Sequence, residues 1–133
     1  LKKSALDTGR KNLDSPLQYV YGYNVCLGIH LKKKERQAIL GLFICIHPGV
    51  NDSKLEWPFS KTFTLGVIHP KDKAKRKIDK IDASKYSDNP NLHMPKQGGN
   101  VGFGRLTFST ANELESEGFV NDNALHFFLH VEP

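Results

Sequence analysis

Cysteine, methionine and tryptophan are scarce in this chain: two, one and one among 133 residues. Two cysteines, Cys26 and Cys45, are too few for a disulfide scaffold. Both fall in apolar, alternating segments and read as reduced thiols of a cytoplasmic protein, with a single bridge between neighbouring strands left open. No apolar run approaches the roughly 18–20 residues of a membrane helix, so no membrane insertion is expected. Leu1-Lys2-Lys3-Ser4 is basic but has no apolar stretch behind it, and so does not read as a signal peptide. A chain opening on Leu1 rather than Met is expected to lack an upstream part. No heptad run is present, so the residues give no coiled coil and no trimer.

Catalytic patterns are equally sparse. There is no Gly-x-Ser-x-Gly elbow. Gly98-Gly99-Asn100-Val101-Gly102-Phe103-Gly104 has the glycines of a phosphate loop but neither a following Lys-Ser or Lys-Thr nor a helix. It reads as a flexible loop entering a strand. His126 and His130 lie four residues apart, which on a strand is about 13 Å, too far for one metal ion. The expectation is a non-enzymatic protein without cofactor or resident metal.

The formal net charge is +5. Much of the excess lies in Lys32-Lys33-Lys34-Glu35-Arg36 and in Lys71-Asp72-Lys73-Ala74-Lys75-Arg76-Lys77, with Lys80 beyond. Such runs suit a polyanion or an anionic membrane surface. Both also fall between apolar segments and lack interleaved aromatics, which favours solvated loops and argues against nucleic acid.

What the chain does have is period-two order. In 23–31, Val25, Leu27, Ile29 and Leu31 point one way, and Asn24, Cys26, Gly28 and His30 the other. In 39–47, Leu40, Leu42, Ile44 and Ile46 oppose Gly41, Phe43, Cys45 and His47. Residues 61–68 turn Phe63, Leu65 and Val67 inward, and 125–131 do the same with Leu125, Phe127, Leu129 and Val131. Shorter strands are expected at 18–21 and around Phe103, Leu106 and Phe108. Residues 1–14 read as irregular and 71–100 as mostly loop, with Ile78 and Ile81 anchoring at most a short strand or turn. Thr110-Ala111-Asn112-Glu113 is a capping box for a helix to about Glu117, stopped by Gly118. The pattern predicts one all-β domain over 1–133, an antiparallel β-sandwich of about seven to eight strands with one short helix. If 23–31 and 39–47 pair as a hairpin, their outward residues form a semi-polar face with Phe43 at its centre. That ring is either a peptide anchor or is covered by the 71–100 loop.

Gly22-Tyr23 with Cys26, Trp57-Pro58-Phe59, Gly102-Phe103-Gly104 and Phe119-Val120-Asn121-Asp122-Asn123-Ala124-Leu125 follow one another in an order that resembles the TRAF or MATH domain. This is the C-terminal domain of the tumour-necrosis-factor-receptor-associated factors. The resemblance runs from about Ser15 to Val131. Nothing before Ser15 matches the family's opening Trp-x-Ile strand, so that strand is expected to be missing. The resemblance implies a groove that binds extended peptides of receptor tails or adaptor proteins by strand addition. It places there Phe103 as platform, with Phe43, His30, Gly28, Arg105, Val101, Gly102, Gly104 and Leu92. Gly28 and Val101 stand where the family usually carries Arg and Lys, and Asn89-Pro90-Asn91 where it carries ligand-contacting serines. Arg105 is the residue expected to restore a positive charge for acidic ligands. The implied function is a cytoplasmic signalling adaptor, trimeric if a coiled coil precedes the domain. Substrate recognition for a ubiquitin ligase or deubiquitinase is the alternative, and a polyanion or anionic-membrane binder the second.

Overall fold

The computed structural model describes the backbone of residues 10–72, 74–120 and 124–133. Its elements are β1 (Arg10–Asp14), β2 (Gln18–Val20), β3 (Tyr23–Lys34), β4 (Gln37–His47), β5 (Thr62–Ile68), β6 (Arg76–Asp82), β7 (Phe103–Thr110), α1 (Ala111–Ser116) and β8 (Phe127–Val131). They build an antiparallel β-sandwich. The larger sheet runs β1-β3-β4-β7, with β2 also paired to β3, and the smaller runs β6-β5-β8.

The long β3–β4 hairpin is the backbone of the larger sheet. It is in register from Asn24↔His47 to Lys34↔Gln37, and the alternation on the two strands agrees across it. Val25, Leu27, Leu42, Ile44 and Ile46 are buried against Phe63, Leu65, Ile81 and Val131 of the smaller sheet. A second cluster joins Leu31, Leu40 and Val67 to Leu114, Phe119 and Leu125, so α1 and the segment after it close one end of the sandwich. Thr110 caps α1, its Oγ1 accepting from the Glu113 amide at 3.2 Å. The aromatic corner is locked to β3. Tyr23 meets Trp57 and Phe59 edge-on at 5.2 and 4.9 Å and donates its hydroxyl to the Glu56 carbonyl at 2.7 Å. The Trp57 indole donates to the Asp52 carbonyl at 2.8 Å.

Two expectations are corrected. Residues 10–14, read as irregular, form β1 and pair with β3 from Arg10↔Lys32 to Asp14↔Gly28. The edge expected to lack a strand is therefore covered, by a polar strand whose sequence has no apolar alternation. Within 71–100, read as mostly loop, Arg76–Asp82 pairs along the whole of β5. Its apolar residues, Ile78 and Ile81, are three apart, so they fall on opposite faces: Ile78 is 53% exposed and Ile81 buried. The half-buried positions on the same face as Ile81 carry Lys77 and Asp79, which pair with Glu113 and Arg105. Charges on the inner side of an edge strand hide its period while keeping it from pairing with another chain. The family-like segment Asn121-Asp122-Asn123 lies outside the described residues.

Candidate functional site

An open groove of about 420 Å3 crosses the outer face of the larger sheet. β3 and β4 supply its floor with Gly28, His30, Phe43, Cys45 and His47. Asn12 and Asp14 of β1 form one wall, and Gly98, Asn100, Val101, Gly102 and Leu106 the other. Phe43 is half-buried. What covers it is the backbone entering β7, since a Cβ on Gly102 would stand 2.8 Å from the Cβ of Phe43.

That second wall is held by Asn100. Its amide donates to the Ile46 carbonyl at 2.8 Å, and its Nδ2 to the carbonyls of Asn91 and His93 at 2.9 and 2.7 Å. Gly98 and Gly99 precede it with φ of +91° and +83°, a region that costs glycine nothing. The turn therefore folds back against His47, whose ring would lie 2.7 Å from a Cβ on Gly99.

Cys26 and Cys45 face each other directly across the hairpin, and both are free thiols. Asp14 joins them: its carboxylate and the two sulfurs lie within 4.8 Å of one another. Nε2 of His47 is 3.8 Å from the Cys26 sulfur. Burial first, then the neighbouring Cys26 and Asp14, push the Cys45 thiol up to about 12. Burial and then Asp14 also raise Cys26, while its contact with Cys45 pulls it back.

The residues expected in the groove divide. Gly28, His30, Phe43, Val101 and Gly102 line it. His30 is held by the side chain of Asn12, and Val101 is 74% exposed. Phe103 does not stand on this face. It is opposite Ile44, while Phe43 is opposite Gly104, and partners directly across an antiparallel pair share a face. Phe103 therefore points inward with Ile44, edge-on to Phe63 and Tyr86 at 6.3 and 5.3 Å. Arg105 follows the same parity and leaves the groove, pairing with Asp79 of the other sheet. Leu92 is a fully buried core residue. Gly104 abuts the β4 backbone, where a Cβ would come 2.2 Å from the Leu42 carbonyl oxygen. Sequence reasoning missed Asn12 and Asp14, which become visible only once β1 pairs with β3. It also missed Asn100 as the wall's anchor and Leu106, which a register shift between Leu40 and Leu42 separates from the inward-facing Phe103 and Phe108.

The second lysine run is largely engaged. Lys77 pairs with Glu113 and Glu117, Lys80 with Glu132, and Lys75 lies over the Phe119 ring. Lys73 lies outside the described residues. Lys32–Lys34 remain exposed at the tip of the hairpin. Among the described residues no helix is long and apolar enough to cross a membrane.

The family model described as TRAF/meprin, MATH domain matches residues 11–128. TNF receptor-associated factor 6 of Danio rerio is 29% identical over 119 residues, covering 84% of this chain and 21% of that protein. The Bos taurus protein of the same name is 28% identical over 113 residues, covering 78% and 20%. The chain thus spans about one fifth of the length of these relatives. Among solved structures, TRAF5 of Notothenia coriiceps superposes with a TM-score of 0.80 at 20% identity, over 92% of this chain and 62% of that one, a likeness of fold. The chain belongs to the TRAF/meprin family of MATH domains and is a protein-interaction domain of the TRAF type.

Proposed function

We propose that this domain binds a short extended peptide along the outer-face groove, adding a strand at β7. The observation that carries this is the groove's position beside a sheet end. Among the described residues β7 is the last strand of its sheet, and an end strand is the usual template for strand addition. Val101 and Leu106, 74% and 64% exposed, stand at the rim where alternate side chains of such a peptide would turn down towards Phe43.

The charge of the lining argues for a changed preference. Arg105, expected to receive an acidic ligand residue, is turned towards the other sheet. Among the lining residues Asp14 carries the one fixed charge. A peptide with a neutral or basic residue over Asp14 fits this groove better than an acidic one. Receptor tails and signalling adaptors carrying such motifs are the partners that follow from kinship with the TNF receptor-associated factors.

Selection from a random peptide display library, followed by titration of the selected peptide, tests this. Burying a Val or Leu side chain is worth about 1.5–3 kcal/mol, so Val101→Asp and Leu106→Asp should each weaken binding at least about tenfold. Both residues are exposed, so the unfolding midpoint should not move. Selected peptides that bind both variants unchanged would place recognition elsewhere.

A further inference from the structure

We propose that Asp14, Cys26 and Cys45 form a zinc-binding site beneath the floor of the groove, with His47 beside Cys26 as the fourth group. Two thiolates, an imidazole and a carboxylate are donors that zinc accepts in a tetrahedral set. Three strands bring them together by register alone. Cys26 is directly opposite Cys45, and Asp14 is directly opposite Gly28.

Gly28 is what lets the donors converge. A Cβ there would stand 2.9 Å from the Cys45 sulfur and 3.3 Å from Oδ1 of Asp14. The sulfur and the carboxylate therefore meet over a residue with no side chain. Gly102 leaves room on the other flank, where a Cβ would come 3.2 Å from the same sulfur.

The three donors of Asp14, Cys26 and Cys45 lie close enough to close on one ion with a small side-chain adjustment, and His47 approaches from the Cys26 side. With Zn–S near 2.3 Å and Zn–N near 2.0 Å, tetrahedral geometry sets donors about 3.5–3.8 Å apart. The carboxylate and both sulfurs already lie within 4.8 Å of one another, and the His47 nitrogen is 3.8 Å from the Cys26 sulfur. Binding would release the two thiol protons to solvent and place a dication between a carboxylate and two sulfurs that become thiolates as it binds. The exposed carboxylate leaves an entry path from the groove.

The test uses the reduced, chelator-treated chain with zinc chloride, in competition with a chromogenic chelator, and cobalt chloride as a spectroscopic stand-in. The expected result is one ion per chain. Cobalt should give a near-ultraviolet thiolate-to-metal band together with the strong visible bands of a tetrahedral site. Cys45→Ser and Asp14→Asn each alter a direct ligand, so they should lower zinc affinity by at least about 100-fold and about 10-fold, no less than loss of an outer-shell partner costs. Asp14→Asn changes an exposed side chain and keeps its shape, so its folded state serves as the control if Cys45→Ser unfolds. Cobalt spectra without a thiolate band would overturn the site. So would zinc binding equal in wild type and both variants, which would move the ion to exposed histidines such as His126 and His130. No peptide is needed, so failure of zinc binding leaves the groove reading to its own experiment.

Discussion

Phe103→Ala separates the two places this ring could have been. A ring on the groove face would be a ligand platform, and its loss would abolish peptide binding at little cost to the fold. The structure instead sets it between the sheets, edge-on to Phe63 at 6.3 Å and Tyr86 at 5.3 Å. Removing a buried Phe costs about 3–5 kcal/mol. Phe103 is only partly buried, so the lower end applies, about 2–3 kcal/mol with the loss of its edge-on partners included. For a domain of this size a urea slope of about 1–3 kcal/mol/M converts that to a midpoint lower by about 0.7–3 M. The assay is urea unfolding followed by Trp57 fluorescence, read beside titration of a selected peptide at zero urea. The expected pattern is a large fall in midpoint and an affinity within about threefold of wild type, well under the tenfold that 1.4 kcal/mol represents. An unmoved midpoint with binding lost would refute the inward placement and the β4–β7 register behind it.

Gly104→Ala should act on both stability and groove. Its Cβ would come 2.2 Å from the Leu42 carbonyl oxygen and 2.9 Å from the Cα of Phe43. These are backbone atoms that cannot swing aside, so the upper part of the overpacking range, about 2–3 kcal/mol, is expected, with β7 pushed off β4 and peptide affinity falling together with the urea midpoint. Glu113 gives a pH test. Lys77 first, then Ser109, hold its carboxyl below the ordinary carboxylate range. A folded-state value below the unfolded one of about 4.3 contributes stability that is complete above that pH and is lost as pH falls through the folded value. Glu113→Gln should therefore flatten the acid loss of stability below about pH 4.3, and added salt should shrink the difference because the pair is exposed. Identical acid profiles for the two proteins would count against the pairing.

The sandwich was legible because its central strands obey one rule. On β3, β4, β5 and β8 alternate residues are apolar, and burial enforces that register. The capping residue Thr110 was equally readable, since its hydroxyl oxygen and the amide three residues on act locally. The edges were not legible. β1 is polar and β6 turns Lys77 and Asp79 inward, so neither shows a period that hydrophobicity can reveal. Their presence depends on long-range pairs, Asp14 with Gly28 and Arg105 with Asp79, that no local window contains.

The groove shows the same division at finer grain. Gly28, His30, Phe43, Cys45 and His47 follow from the parity of the β3–β4 hairpin, and that parity was visible in the chain. Parity on β7 depends on which residue lies opposite Phe43, a fact of register between strands some sixty residues apart in sequence. With Gly104 in that place, the ring before it and the guanidinium after it both turn inward. One register thus removes the aromatic platform and the positive charge together. It leaves Asp14, from the strand the sequence hid, as the fixed charge of the site. On the proposed peptide-binding reading, the preference of this groove is set by its least readable strand, and an Asp14→Lys variant should shift selected peptides from basic to acidic at the position above it.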